Sequence, residues 1–441
     1  YLEVAIGLYA AGFRWIHQMA DGLFISAGSN LLEHSLLLLL LKGTLSVGLL
    51  LMPTVLMGGT LPLLAAWLQQ STADPARRSA RFYSTNSLGA VCGAALAGFF
   101  LVQNWGLRGA LEMTALANAF IGLGAILLSG GPSTNRQERN VKKAEVVTGA
   151  AGGAPSKGLQ VGCLVVALTG AVSMGLEVLA SRCLVLIFGA SLQAFAVVLM
   201  AFILGIGLGS AVVASPRFQR LRREATTVML LLAAAAMIGG FIATIEGWVE
   251  VYRYVKTGLA RTDTGFVFHQ IFITALSMGV LGVPAALLGA VLPLWIRGVA
   301  NPNSNLANQV GRLLTWNTLG AVAGVLLTGF VLMPQLGLRG AFGVLAIGLC
   351  VAAGLIARAG GHRRMVVAAA GMIAVLALIG GLGGEGWRYV LSSGVFRARE
   401  TVVDRFAMAR RRDHYKLLFY EDAADATVSV EKGDGIGAPP Q

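Results

Sequence analysis

Polar residues interrupt this chain only at intervals, and between the interruptions lie stretches apolar enough to cross a bilayer. A spanning helix needs about 20 such residues. Stretches of that kind fall at 1–20, 35–69, 84–103, 108–130, 160–188, 191–214, 226–247, 266–297, 313–333, 340–358 and 364–384, so the pattern predicts eleven helices. One longer polar break, "GPSTNRQERNVKKAEVVTGAAGGAPSKG" over 131–158, mixes Pro, Gly, Ser and charge and reads as a flexible loop. After residue 384 a basic segment leads into "KLLFYEDAADATVSVEK". Its second run, Ala426–Val430, is β-branched and alternating, which predicts a β-hairpin at the start of a soluble module.

Within this pattern the chain repeats itself. "NSLGAVCGAALAGFFLVQNWGLRGA" (86–110) and "NTLGAVAGVLLTGFVLMPQLGLRGA" (317–341) lie 231 positions apart and agree at 15 of 25 positions. "PTVLMGGTLPL" (53–63) answers "PAALLGAVLPL" (284–294) at the same offset. Self-similarity at a fixed period marks a duplicated structural unit. Runs 1–20, 35–69, 84–103 and 108–130 are thus counterparts of 226–247, 266–297, 313–333 and 340–358, while 160–188 and 191–214 have no counterpart in the first half. The expectation is an all-α polytopic membrane protein of two six-helix repeats, the first lacking its first two helices in this sequence. An even helix number keeps both repeats facing the same way about an axis along the membrane normal, the arrangement of major-facilitator-type transporters. The predicted organisation is a first membrane repeat over 1–130, a cytoplasmic linker over 131–158 and a second repeat over 159–360. An additional apolar helix over 361–384 and the start of a soluble domain over 385–441 complete it.

Composition excludes a water-facing fold. Hydrophobic residues make up 56% of the chain and charged residues 12%, about half the charge of an average soluble domain. The net charge of +13 would raise nucleic acid as a partner in a soluble protein. Here Lys and Arg cluster between apolar runs, where they set orientation instead, and no nucleic-acid partner is expected. Connections 70–83, 131–158, 214–226, 297–312 and 358–364 hold 17 of them, against 5 in 20–35, 103–108, 189–191, 247–266 and 334–340. The positive-inside rule makes the first set cytoplasmic. The four cysteines all sit in apolar runs without CxxC or His/Cys spacing, so neither a disulfide nor a metal site is expected.

Several residues carry candidate chemistry. Gly89, Gly93 and Ala97, like Gly320, Gly324 and Thr328, recur every four residues and let helix backbones approach, either as static packing or as a moving interface. Pro53, Pro62, Pro284 and Pro293 each leave a carbonyl four residues earlier unbonded; for Pro62 and Pro293 it belongs to Gly58 and Gly289. Matched interruptions of this kind point to a midplane binding site, or merely shape the bundle. Arg108 and Arg339 read as interfacial anchors, and Lys42, His269 and Glu112 lie near predicted span ends. Glu177 lies near the middle of a span, where an ionisable group is a substrate or coupling candidate or a structural partner of another helix. Arg182, five residues on, is off its helix face. "GIGLGS" (205–210) lies inside an apolar helix with no preceding strand, which rules out a dinucleotide loop. Glu421, Asp422 and Asp425 read as turn residues between strands.

Taken in order, these motifs resemble a family of bacterial fused membrane proteins in which a major-facilitator-like bundle precedes a spermidine synthase-like domain. The resemblance runs through both Leu-Gly-Ala-Val-x-Gly…Gly-Leu-Arg-Gly copies and both Pro-x-x-x-x-Gly-x-x-x-Pro helices. It also takes in Glu177-Val-x-x-x-Arg182, Leu391-Ser-Ser-Gly-Val-Phe396 and Leu418-Phe-Tyr…Ala426-Thr-Val-Ser-Val430. It implies a multi-pass protein of the bacterial cytoplasmic membrane, related to enzymes that transfer an aminopropyl group from decarboxylated S-adenosylmethionine to putrescine. The family's Gly-rich loop and catalytic aspartates come after the hairpin and have no counterpart here, so no catalytic residue is assigned and no cofactor is expected in this stretch. Three roles are open: a module anchoring and feeding such a synthase, a transporter for a polyamine or other small cation, or a non-catalytic subunit with protein partners or as a homo-oligomer. If 364–384 crosses the membrane, the tail lies opposite the basic connections, whereas a cytosolic donor favours the cytoplasm.

Overall fold

The structure is a computed structural model of the chain. It describes residues 1–71, 75–129, 157–215, 222–299, 306–382, 384–397, 407–423 and 426–433, with 35, 61–71, 75–84, 129, 157, 214, 298–299, 306–308, 382 and 407–410 described by backbone alone. Contacts divide it into two compact units, residues 1–82 with 99–154 and residues 83–98 with 155–441.

The helices are α1 (Leu2–Gly28), α2 (Ser35–Ser71), α3 (Pro75–Leu96), α4 (Val102–Ser129), α5 (Lys157–Phe188), α6 (Leu192–Ala214) and α7 (Arg223–Gly258). After these come α8 (Asp263–Ser277), α9 (Val283–Gly289), α10 (Val291–Val299), α11 (Leu306–Leu327), α12 (Met333–Ala359) and α13 (Arg363–Leu382). Short helices α14 (Gly386–Ser392) and α15 (Ala407–His414) lead to the antiparallel pair β1 (Tyr415–Asp422) and β2 (Thr427–Gly433). The hairpin foreseen in the sequence is present. Among the described residues eight helical segments are long and apolar enough to cross a membrane. The protein is therefore an all-α multi-pass membrane protein with a C-terminal hairpin.

Two of those segments are too long for one pass. Thr85–Leu128 has 44 residues and Gln309–Ala359 has 51. At about 1.5 Å per residue they extend roughly 66 and 77 Å, about twice the hydrocarbon thickness. Each carries a π turn, Ala97–Leu101 and Thr328–Leu332, then a kink at Gly106 (φ 66°, ψ −179°) and Gly337 (φ 67°, ψ 175°). That backbone region is open essentially to glycine alone. The kinks stand where connections 103–108 and 334–340 were expected, so one residue turns the chain where a loop was foreseen. They are 231 residues apart, as are the π turns, and both glycines open a Gly-Leu-Arg-Gly motif.

The proline helices differ. α2 runs unbroken past Pro53, whereas 266–297, expected as one helix, is divided by a π turn at Met278–Gly282 and a break at Ala290. Pro62 is described by backbone alone. The π turn places Pro284 where no intact α-helical bond is lost.

Packing in the second unit is backbone against backbone. A methyl group on Gly320 or Gly324 would overlap Ala167 or Ala171 of α5, and one on Gly205 or Gly209 of α6 would overlap Gly282 or Ala286. In the first unit a methyl on Gly7 of α1 would come within 2.9 Å of Ala115 O in α4. The equivalent pair in the second unit, α7 and α12, meets through Phe241 and Phe342, whose rings lie 5.6 Å apart.

The kinks make a direct test. Gly337→Ala and Gly106→Ala force a Cβ into a backbone region that excludes it, and each is expected to cost about 1–3 kcal/mol. Gly343→Ala, helical and with open space around it, is expected to be neutral or to stabilise. Thermal unfolding of the three variants in detergent checks the order.

Candidate functional site

The C-terminal segment is bonded to the ends of the second-unit helices rather than hung from α13. At its centre is Asp422, the last residue of β1, 4% exposed. Its carboxylate accepts from the Leu338 backbone N–H at 2.9 Å and from Thr427 Oγ1 at 2.8 Å. Leu338 comes directly after the Gly337 kink, so its N–H belongs to the first turn of a new helical stretch and has no partner four residues back. A carboxylate at that place bonds an orphan donor and opposes the positive helix end.

Four further contacts hold the segment. Arg182 Nη2 donates to Ala423 O at 2.9 Å. Lys256 Nζ, in the last turn of α7, donates to Val395 O and Phe396 O at 2.9 and 2.7 Å. Arg412 pairs with Glu246 at 2.7 Å, and Phe396 packs on Gly189 closely enough that a methyl there would lie 2.8 Å from the ring. Within the segment Glu431 takes both Arg411 and the Ser392 hydroxyl, and the Tyr389 hydroxyl accepts from Leu417 N–H at 3.3 Å. Trp387 and Tyr420 meet edge to face at 5.5 Å with Arg388 over both rings. Burial, then the negative charge of Asp422, pushes the Tyr420 phenol above its ordinary range, while Arg388 pulls the other way.

All the anchoring residues lie at one end of their helices. Arg182, Gly189, Glu246, Lys256 and Leu338 flank connections 189–191, 259–262 and the kink at 337. Those alternate along the chain with the basic connections 214–226, 297–312 and 358–364. The hairpin caps the end poor in Lys and Arg.

Deeper in the unit Glu177 sits half-buried on α5, and among the described residues nothing hydrogen-bonds or ion-pairs with it. The structure does not bring it together with Arg182, which reaches the tail. The carbonyl that Pro293 frees belongs to Gly289, and it accepts the Ser210 hydroxyl of α6 at 3.0 Å. That hydroxyl is on the last residue of "GIGLGS", whose glycines are the ones packed on the Gly282–Ala286 backbone. At the start of two π turns lie buried hydroxyls, Ser277 and Thr328, that have no hydrogen-bond partner among the described residues. His269 meets the Tyr252 hydroxyl at 3.3 Å rather than reaching solvent alone.

The remaining sequence candidates fall in varied places. Gly320 and Gly324 pack on α5, whereas Gly89 and Gly93 have open space around them. Pro284 is buried, while Pro53 is half-buried and Gly58 exposed on α2. Arg108 pairs with Glu112 at 2.8 Å, and Arg339 donates to Ile379 O and Gly384 O at the end of α13. Asp422 departs from the sequence expectation: it is a buried helix cap, not a solvated turn residue. Asp425 lies outside the described residues. Among the described residues no cluster of His, Cys, Asp or Glu could hold a metal.

The chain matches no protein-family model, no curated protein and no solved structure.

Two outcomes test the cap. Asp422→Ala removes a buried charge-assisted bond and is expected to loosen the segment by about 1.5–3 kcal/mol. Hydrogen exchange at the Leu338 amide should speed up roughly tenfold or more. The docked state favours neutral Tyr420, so its contribution is whole below the ordinary phenol pKa of about 10 and is lost as pH climbs beyond it. A titration of wild type minus Tyr420→Phe should show no tyrosinate signal in the range where free tyrosine ionises.

Proposed function

We propose that the chain is the membrane module of a spermidine synthase-like protein of the bacterial cytoplasmic membrane. Its role is to hold the soluble domain that begins at the hairpin against one end of a helix bundle. The observation that carries this reading is the capping of Leu338 by Asp422, together with the bonds of Arg182 and Lys256 to the tail. A domain on a plain tether needs no such bonds. The bundle is two parallel major-facilitator-like repeats. The common offset of the sequence motifs, π turns and glycine kinks supports this organisation.

The capped end gives the module a second task. It lies opposite the basic connections, which the charge rule places in the cytoplasm. A donor such as decarboxylated S-adenosylmethionine, or a polyamine made in the cytoplasm, then reaches the domain only by passing the bundle. The module feeds as well as anchors. The alternative, a transporter for a polyamine or another small cation, draws on Glu177, an acidic side chain within a span and without a partner among the described residues.

Labelling decides the placement. In a Cys92→Ser background, Lys416→Cys on exposed β1 should react with an impermeant maleimide in intact cells, and Arg363→Cys only after lysis. The reverse pattern would remove the feeding role. Uptake of labelled spermidine into proteoliposomes that disappears in Glu177→Gln would put transport in place of anchoring.

A further inference from the structure

The end of the second unit that carries the basic connections holds a pocket of about 460 Å³, with Arg222, Arg223, Glu224, Gly360 and His362 in its walls. It brings together connections 214–226 and 358–364, which hold four and three arginines and a single acidic residue, Glu224. Packing fixes the walls. The Arg223 guanidinium lies 4.4 Å from the centre of the Trp295 ring, which is buried. Trp295 Nε1 donates to the buried Thr227 hydroxyl at 3.1 Å, and that hydroxyl donates to Arg223 O at 2.8 Å. Ring, hydroxyl and backbone close a circuit that holds the guanidinium in one place. Glu224 lies 3.8 Å from Arg223 Nη2. A methyl on Gly360 would come within 3.0 Å of Glu224 Oε2 and 3.1 Å of the His362 ring, so the carboxylate stands at the Gly360 wall beside the imidazole.

Charge and depth name the occupant. Two guanidiniums against one carboxylate leave a single positive charge, the complement of a phosphodiester rather than of a polyphosphate. The apolar spans Arg223–Gly258, Gln309–Ala359 and Arg363–Gly381 each begin or end at the pocket, which places it at the level of lipid headgroups. Apolar surface follows directly inward: Met229 of α7, about two turns from Arg222, and Val367 of α13, about one turn from Arg363, are both exposed. We propose that the pocket binds the headgroup of a singly charged anionic phospholipid. Arg222 and Arg223 hold the phosphate oxygens, where a guanidinium can donate two bonds in its own plane. Acyl chains run over Met229 and Val367. Glu224 holds Arg223 from the other side and repels any anion that brings more charge. The charge rule puts this end in the cytoplasmic leaflet, where anionic lipid meets basic pockets between spans. The pocket serves the bundle whether the module anchors a soluble domain or transports a cation.

Hydrogen exchange of the full chain in nanodiscs tests the site, with phosphatidylcholine alone compared with phosphatidylcholine mixed with phosphatidylglycerol. Phosphatidylglycerol should slow exchange of the first-turn amides of α7 about tenfold. Arg222→Gln and Arg223→Gln should each abolish the slowing. Arg222 is exposed, so its variant should keep the wild-type thermal midpoint in phosphatidylcholine. Arg364→Gln removes the same charge from the same end but outside the pocket, and should leave the slowing intact. Equal loss in Arg222→Gln and Arg364→Gln would mean diffuse attraction to a basic surface and would overturn the proposal. So would wild-type exchange that ignores phosphatidylglycerol. Inorganic phosphate that slows exchange equally in phosphatidylcholine discs would assign the pocket to a soluble anion and reject the lipid. None of these outcomes depends on the maleimide pattern at Lys416.

Discussion

A bilayer takes away the ordinary reason for helices to associate, because acyl chains solvate leucine as well as another leucine does. What remains is contact that lipid cannot copy, and the closest such contact is backbone on backbone. The second unit is built on it. Gly320 and Gly324 meet the carbonyl side of Ala167 and Ala171, and Gly205 and Gly209 meet that of Gly282 and Ala286. No side chain larger than hydrogen fits at those four positions. These two crossings set how closely α5 lies to α11 and α6 to α9.

Close crossings in lipid carry an obligation, since any backbone group left unbonded there has no water to turn to. The structure meets it in two ways. Where Pro293 frees the Gly289 carbonyl, the crossing itself supplies the donor, Ser210 on α6. Where Gly337 frees the Leu338 amide, the helices supply nothing and the bond comes from Asp422, 84 residues on. One break is closed from inside the bundle and the other from outside it. That difference separates a shape-giving kink from one that has become a docking point.

Much of this was legible in the sequence. Apolar runs marked the helices because burial away from water is a property of single residues summed over a window. The Gly-Leu-Arg-Gly motif, repeated at a 231-residue offset, marked the two places where the chain turns. A short loop and a helix with one non-helical residue look alike in hydropathy, so the motif could not tell them apart. The hairpin was visible in its alternation. What stayed hidden depended on a partner distant in sequence. Ser210 reads as one more small residue until Gly289 lies opposite it. Asp422 sits in an acidic, alanine-rich stretch with every mark of a solvated turn, and only the orphan amide at Leu338 changes its meaning. The face of Glu177, and Arg182's choice of the tail over it, are settled by packing rather than by spacing.

The two kinks share a motif and a geometry but not a setting. Gly106 and Gly337 keep the same backbone angles, which only glycine tolerates, so the fold demands both. Their surroundings differ. The space a methyl would fill at Gly106 is open, whereas at Gly337 it is bounded by Asp422 Oδ2 at 3.3 Å and Trp387 at 3.8 Å. The arginine two residues on diverges in step: Arg108 pairs locally with Glu112, while Arg339 reaches across to the carbonyls that end α13. Both kinks begin a new helical stretch. Among the described residues a carboxylate, an aromatic wall and a neighbouring cation surround the second of them. At Gly337 these groups fix the C-terminal segment beyond α13 to the helix start, whereas at Gly106 the helix start bears no part of that segment among the described residues.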